Sequence, residues 1–343
     1  MSGGHDLLIA GGGPAGLATA LHAVRAGLDV VVAEPRRAPV DKACGEGLMP
    51  SAVRALSAFG LEVPGHPVTG IRYIQGPRQV QAEFRHGPGL GVRRTDLHSA
   101  LHQTVVDAGV PVLPLRVGAV QQDTTGVSVP GTSLRARWLV AADGLHSPLR
   151  RSLGLEVKTS AAPRYGLRRH YAVPPWSSYV EVHWGPDGEA YVTPLGPALV
   201  GVALLTARRA PFSIQLESFP ELAARLPQEA AVTAVRGAGP LRQRARTRTH
   251  GRVLLVGDAA GYTDALTGEG LSLAFTGAEA LVTNVRRGTP SRYETDWRRV
   301  TRRHRLLTEL LVRARQQPAL APVIMPTAAR LPRLFAAAVN ALA

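Results

Sequence analysis

The sequence predicts an α/β protein. A parallel sheet wound with crossover helices is interrupted by an antiparallel β-sheet and followed by C-terminal helices. Three observations carry this expectation. The buried run Leu7-Leu8-Ile9-Ala10 enters the glycine turn Gly11-Gly12-Gly13-Pro14-Ala15-Gly16 and is followed by a helical stretch and a second buried run, Val30-Val31-Val32-Ala33. Two later buried runs also end on paired Asp and Gly: Trp138–Ala141 before Asp143-Gly144, and residues 253–256 before Gly257-Asp258. Between about 163 and 205 the pattern turns to alternation, as in Tyr179–Trp184 and Ala198–Leu204, the signature of antiparallel strands.

The elements follow in order. Residues 5–10 read as a buried strand, and Pro14–Ala26 as a helix with Leu17, Leu21 and Val24 on one face and Gly27 as its stop. With Val30–Ala33 this is a βαβ unit. Residues 51–60 read as a helix and 66–85 as a pair of strands. Thr95–Ala108 reads as a helix that Thr95 can cap, with Leu97, Leu101 and Val105 at helical spacing. Residues 110–140 suggest short strands, 213–226 a helix, 253–256 a strand and 268–287 a helix. The tail from 291 reads as helical, interrupted by Pro318, Pro322, Pro326 and Pro332.

Composition narrows the class. The chain has 343 residues, 45% hydrophobic and 19% charged, enough for two packed units. No run of ~18 apolar residues predicts a membrane span. Cys44 is the only cysteine, so no disulfide framework forms, and a cytoplasmic location is expected. The net charge of +15 comes from 40 basic residues, of which only Lys42 and Lys158 are lysines. Arginines spread along the chain, with aromatics at 5%, suit compositional bias better than a nucleic-acid surface, and nucleic acid is not expected as a partner.

Gly11, Gly13 and Gly16 fit G-x-G-x-x-G: a tight turn, close backbone approach to a pyrophosphate, and close helix–strand packing. The helix N-terminus offers free amides to phosphate. Glu34, at the end of the second strand, is placed to accept from a ribose diol. Together these predict a Rossmann-like dinucleotide site. Asp143-Gly144 and Gly257-Asp258 read either as ordinary turns or as ligand-binding strand ends. The helix beginning near Gly268–Gly270 presents a second dipole end.

These segments, in this order, resemble the FAD-dependent oxidoreductases of the p-hydroxybenzoate hydroxylase-like (class A flavoprotein monooxygenase) and geranylgeranyl reductase superfamily, over roughly residues 5–285. The resemblance implies a Rossmann-like FAD-binding domain (GR2-type) from residues 1–65, 88–160 and 250–303. It implies an inserted antiparallel β-sheet substrate domain from 66–87 and 161–249, and a helical tail at 304–343. It also implies that FAD is held by Gly11, Gly13, Pro14, Ala15, Gly16, Glu34, Cys44, Gly45, Arg94, Val117, Asp143, Gly144, Gly257, Asp258, Gly268, Gly270 and Leu271. Arg94, three residues before Leu97, would face the pyrophosphate, and guanidinium suits that geometry. NADPH or NADH would be the reductant.

Two branches remain open. Cys44-Gly45-Glu46-Gly47-Leu48 and Thr267-Gly268-Glu269-Gly270 resemble the reductases, whereas Tyr191 and Thr193 stand where those often carry Trp and Phe. The Arg94–His98 helix start and Asp143–Ser147 are closer to hydroxylases and epoxidases, which tips the expectation towards a monooxygenase. Such an enzyme hydroxylates or epoxidises an aromatic or isoprenoid compound with O2 through a flavin hydroperoxide. Saturation of C=C bonds by a reductase is the alternative. No catalytic side chain is assigned and no metal site is expected.

Arg168, His170, Tyr171, Trp184 and Tyr191 are candidate substrate contacts; each also reads as sheet packing. Cys44 reads as a packing residue rather than a nucleophile. Arg242, Arg244, Arg246 and Arg248 would share one strand face, either a solvated edge or a dock for NADPH phosphate or anionic lipid. The tail apolar groups, including Leu320, Val323 and Leu334, either cover the core or make peripheral membrane contact. A non-enzymatic flavin sensor and a plain NAD(P)-dependent dehydrogenase are the further readings.

Overall fold

The β-branched and aliphatic runs form the centre of the protein, as their burial demands. The computed structural model describes residues 4–343. His5–Ala10 is the middle strand of a sheet ordered Thr249–His250, Val253–Leu255, Arg135–Ala141, His5–Ala10, Val30–Ala33, Val112–Leu113. Along this path all neighbours are parallel except the Thr249–His250 hairpin strand; Val127–Ser128 branches off, antiparallel to Arg135–Ala141 and to Gln121–Gln122. Leu7, Leu8 and Ile9 are fully buried. Helices Pro14–Arg25 and Gly270–Arg286 pack together beside this sheet.

A second sheet of seven strands runs Arg236–Ala238, Tyr165–Tyr171, Leu199–Thr206, Gly188–Gly196, Tyr179–Trp184, Gly70–Gln75, Arg78–Glu83. Only the pairing of Tyr179–Trp184 with Gly70–Gln75 is parallel. Both faces are covered. Tyr191 and Val182 meet Val312, Met325 and Phe335 of the C-terminal helices, while Ala190 and Val192 meet Phe212, Leu216 and Leu222. The helices Tyr293–Gln316, Ala321–Arg330 and Pro332–Leu342 complete the chain.

Three local expectations are corrected. The helix expected over 213–226 is two short turns, Phe212–Leu216 and Pro220–Ala223. Pro220 lacks an amide donor and holds Phe219 outside the helical region, at φ −127° and ψ 69°. Thr95 does not cap its helix, which starts at Arg94; its hydroxyl donates to Asp96. The four arginines do not share one strand face, because only Gln243–Arg244 is strand there. Arg248 is buried, paired with Glu294 and stacked 4.1 Å over the Trp297 ring, and Arg242 pairs with Glu309.

His98 fixes the first glycine turn. It is 1% exposed, with Nε2 2.9 Å from the Gly12 carbonyl, which can only accept, so Nε2 carries the proton. Burial, aided by the Arg94 charge, pulls its imidazole down to about 4. The unfolded chain therefore binds a proton below pH 6.5 that the folded chain refuses until about 4. Stability from this group is whole above that window and falls as pH drops through it, by about 2–3 kcal/mol between pH 7 and 4.5. His98→Gln retains an amide donor without titrating. Denaturant unfolding at the two pH values should show a smaller acid loss in the variant; equal losses would mean that His98 titrates normally.

Candidate active site

The three glycine-bearing segments lie side by side because their strands do. Ala10 is level with Ala141, and Ala141 with Leu255, so the three loops leave adjacent parallel strands at the same edge. The loops are fitted to one another by absent side chains. Gly11 has φ +114°, and a Cβ there would strike the Ala142 carbonyl. A Cβ on Gly16 would fall on the Gly11 carbonyl, and one on Gly257 (φ +62°) would lie 2.7 Å from Ala15 Cβ. Arg150, fully buried, ties the second loop to the third: it donates to the carbonyls of Leu145 at 2.9 Å and Ala259 at 3.2 Å. Gly13 differs, with nothing within 4 Å of a Cβ. The helix behind it has no side-chain cap, which leaves its first amides for a ligand.

The charged groups are unevenly satisfied. Glu34 Oε2 accepts from the Gly12 amide at 2.9 Å, and both its oxygens accept from Arg36. Burial raises its carboxyl, but these bonds outweigh burial and hold it below the usual range. Asp258 is likewise held low, as Lys42 Nζ at 2.9 Å outweighs burial. Asp143 goes the other way: burial pushes it up, one oxygen accepts from the Leu149 amide at 3.0 Å, and Oδ1 is buried without a partner. Arg94 is 8% exposed, its Nε has no partner, and among the described residues no carboxylate pairs with it. A buried arginine without a counter-ion beside open amides suits a phosphorylated ligand.

These groups surround one cavity of about 1550 Å³. Of the cofactor candidates, all line it except Gly11, Gly16, Glu34 and Val117. The first two lie behind the loop, Arg36 stands between Glu34 and the cavity, and Val117 is in the core next to cavity-lining Arg116. The cavity then crosses the second sheet, where Ile71, Tyr73, Val180, Val182, Tyr191 and Leu205 line it, and reaches the C-terminal helices. Ligand pockets usually span about 300–1,000 Å³, so this volume has room for a dinucleotide and a second molecule.

The substrate candidates separate. Tyr191 lines the cavity and donates to the Leu266 carbonyl at 2.7 Å; burial pushes its phenol well up and keeps it neutral. Arg168, His170 and Trp184 do not line it. By register Arg168 shares a sheet face with Ala203, Tyr191, Val182 and Tyr73, but the 41–47 segment covers its end of that face. Arg168 pairs with Asp41 and lies 3.8 Å from Glu46; His170 Nε2 is 2.7 Å from Glu46 Oε2. Trp184 packs 5.2 Å from the Tyr73 ring, and Tyr171 faces Phe212 on the opposite face. Cys44 lines the cavity, and burial pushes its thiol up, against thiolate chemistry at neutral pH.

Sequence reasoning missed Lys42, Arg36 and the role of Glu46. Lys42 carried a signal, as one of two lysines in an arginine-rich chain. Glu46 carried none: it is the sole non-glycine with positive φ (61°) among the described residues, and its partners lie far away in sequence.

Residues 5–184 match the family model described as FAD binding domain. The chain is 31% identical to the menaquinone reductase of Mycobacterium tuberculosis, covering 78% of this chain and 72% of that one. It is 30% identical to digeranylgeranylglycerophospholipid reductase 1 of Methanopyrus kandleri, over 78% and 77%. Identity to a 3-amino-4-hydroxybenzoate 2-monooxygenase of Streptomyces platensis is also 30%, but over 43% of this chain and 41% of that one. Among solved structures, a geranylgeranyl bacteriochlorophyll reductase-like protein of Thermoplasma acidophilum superposes with TM-score 0.80 at 20% identity, over 99% and 93%. That likeness supports the fold.

The glycines and Arg94 are separable by experiment. Gly16→Ala forces the helix from its strand and should cost about 3 kcal/mol or more, as overpacking does. Gly13→Ala adds a methyl to open space, so thermal stability without flavin should hold while flavin retention falls. Equal stability losses would show that both glycines serve only packing. Arg94→Met removes an uncompensated buried charge, so the flavin-free protein should unfold no earlier. Flavin affinity, read by fluorescence titration, should fall about ten- to a hundredfold, the weight of one or two charge-assisted hydrogen bonds. Unchanged affinity would remove Arg94 from the site.

Proposed function

The chain belongs to the FAD binding domain family, and from that membership we propose that it is a flavin-dependent reductase that saturates a C=C bond in a long isoprenoid substrate. That it is an FAD-dependent oxidoreductase follows from its relatives, which are reductases and monooxygenases. The observation that carries the finer reading is the cavity, polar at the strand ends and apolar from Ile71 and Val180 through Leu311 to Phe335. An extended apolar channel suits a prenyl chain.

The residues divide the work. The amides behind Gly13 and the unpartnered Arg94 suit the FAD pyrophosphate, Arg36, held in place by Glu34, the adenosine ribose, and Asp258 with Lys42 the ribityl hydroxyls. The uncapped N-terminus of helix Gly270–Arg286 faces the same cavity and suits negative charge on a reduced ring. Bound FAD, reduced by NADPH or NADH, supplies the hydride equivalent. The apolar walls orient the alkene and exclude water, and neutral Tyr191 and the Cys44 thiol bring no charge into that wall.

The sequence features that favoured oxygenation, Arg94–His98 and Asp143–Ser147, belong to the cofactor side, which both branches share. The reductases align over 78% of the chain, including more than the cofactor loops can account for. Monooxygenation of an aromatic or isoprenoid compound with O2 remains the second reading, favoured by the 30% identity to a monooxygenase over 43% of the chain.

The two readings part under anaerobic conditions. Enzyme with bound FAD, reduced without oxygen and mixed with a prenylated quinol, whose ring is already reduced, should reoxidise its flavin and yield a product whose prenyl chain is richer by two hydrogens. Product that forms only with O2 and carries label from 18O2 would establish the second reading instead. Flavin that is never reoxidised by any alkene or by oxygen transfer would sink both.

A further inference from the structure

The apolar end of the cavity opens to solvent through apolar groups. Leu310, Leu320, Val323, Leu331 and Leu334 line the cavity, yet are 62%, 42%, 49%, 49% and 63% exposed. With Leu306, one turn before Leu310 and 53% exposed, they make six of the ten exposed large hydrophobics among the described residues. All six lie on the last three helices or at their junctions, Leu320 and Leu331 being the junction residues. Singly exposed leucines are ordinary; a cluster around an opening marks an interaction site.

Charge identifies the partner. From Arg298 onward the chain carries nine arginines and one acidic side chain, Glu309. Arg330 and Arg333 adjoin Leu331 and Leu334, are exposed, and form no ion pair among the described residues. Apolar groups interleaved with unpaired arginines are the composition of a helix lying in the headgroup region of an anionic bilayer. No helix is long and apolar enough to cross a membrane, so contact through these helices would be at the surface.

We propose that the cavity mouth formed by residues 306–334 docks onto an anionic lipid bilayer. The leucines enter the acyl boundary, Arg330 and Arg333 meet lipid phosphates, and the substrate passes from the bilayer into the cavity without crossing water. The entry route rests on the reading of the cavity as a prenyl channel; the docking itself does not.

The test is co-sedimentation of the full chain with bound FAD on phosphatidylcholine vesicles with and without about one-third phosphatidylglycerol, a charge density at which surface attraction is felt. Binding should require the anionic lipid and weaken as salt rises. Arg330→Gln/Arg333→Gln and Leu306→Ser lie outside the cavity lining. They should bind vesicles at least tenfold more weakly, while turning over detergent-dispersed substrate as the parent does. Equal binding to neutral vesicles, parental binding by the arginine variant, or a dimer in sedimentation velocity that consumes the leucine face would overturn the proposal. Vesicle binding without turnover would leave the docking and remove the reductase reading; turnover in detergent without vesicle binding would do the reverse.

Discussion

The buried carboxylate of Glu46 ties the second sheet to the start of helix Arg94–Asp107, beside the glycine loops. It is 3% exposed and sits in a left-handed backbone conformation that a non-glycine residue adopts at a cost of roughly 1 kcal/mol. Three residues from two elements meet on it. The amide of Arg94, at the start of helix Arg94–Asp107, donates to Oε1 at 2.8 Å; His170 of the second sheet bonds Oε2; Arg168 lies alongside. A buried carboxylate is costly alone, and a helix N-terminus with a neighbouring guanidinium offsets that cost. Gly201 makes the room, since a Cβ there would lie 3.0 Å from Oε2. Because Glu46 engages the Arg94 backbone, the Arg94 side chain is left for the cavity. One interaction thus closes the sheet against the cofactor layer and keeps a cation unpaired.

The same constraint explains why the cavity has two characters. Its near end is walled by loop backbone, which must carry exposed amides and carbonyls and is therefore polar. Its far end is walled by one sheet face and by helices that would otherwise pack against that face. Val182 and Tyr191 reach across to Phe335, Val312 and Met325 in one apolar cluster, so the gap between sheet and helices is walled mainly by apolar side chains. The polarity of the near end and the shape of the far end are thus set by different parts of the chain.

Legibility in the sequence followed the range of the interaction. The tight fit at Gly11 and Gly16 was readable because a strand–turn–helix junction of this spacing requires their missing side chains, and the Asp143 and Gly257 loops because each directly follows a buried strand. The placement of Arg168 and His170 was not readable. Alternation assigns them a sheet face correctly, but whether they touch a ligand depends on Glu46 and Asp41, more than 120 residues away in sequence. The break at Pro220 had a local signal that helical periodicity obscured. The four alternating arginines show the converse error: a period of two is a strand signal only where a partner strand exists, and beyond Gln243–Arg244 that partner ends.

The arginine excess also changes meaning once the fold is known. Read as composition it is bias; in the structure much of it is internal bracing. Arg150 joins two cofactor loops, Arg164 joins Glu189 to Asp264, Arg248 bridges Glu294 and the Trp297 ring, and Arg315 ties the long helix Tyr293–Gln316 to Glu189. A planar guanidinium with five donors can satisfy several buried carbonyls and a carboxylate at once, which lysine cannot. Internal pairing of this kind spends positive charge within the protein, so net charge alone is a poor guide to partners. The informative arginines are those the fold leaves unpaired. Arg94 is one, buried beside the glycine loops; Arg330 and Arg333 are others, exposed next to Leu331 and Leu334 at the apolar end of the same cavity. The ligand chemistry of the two ends is therefore read from the same kind of observation, a cation that the protein itself does not neutralise.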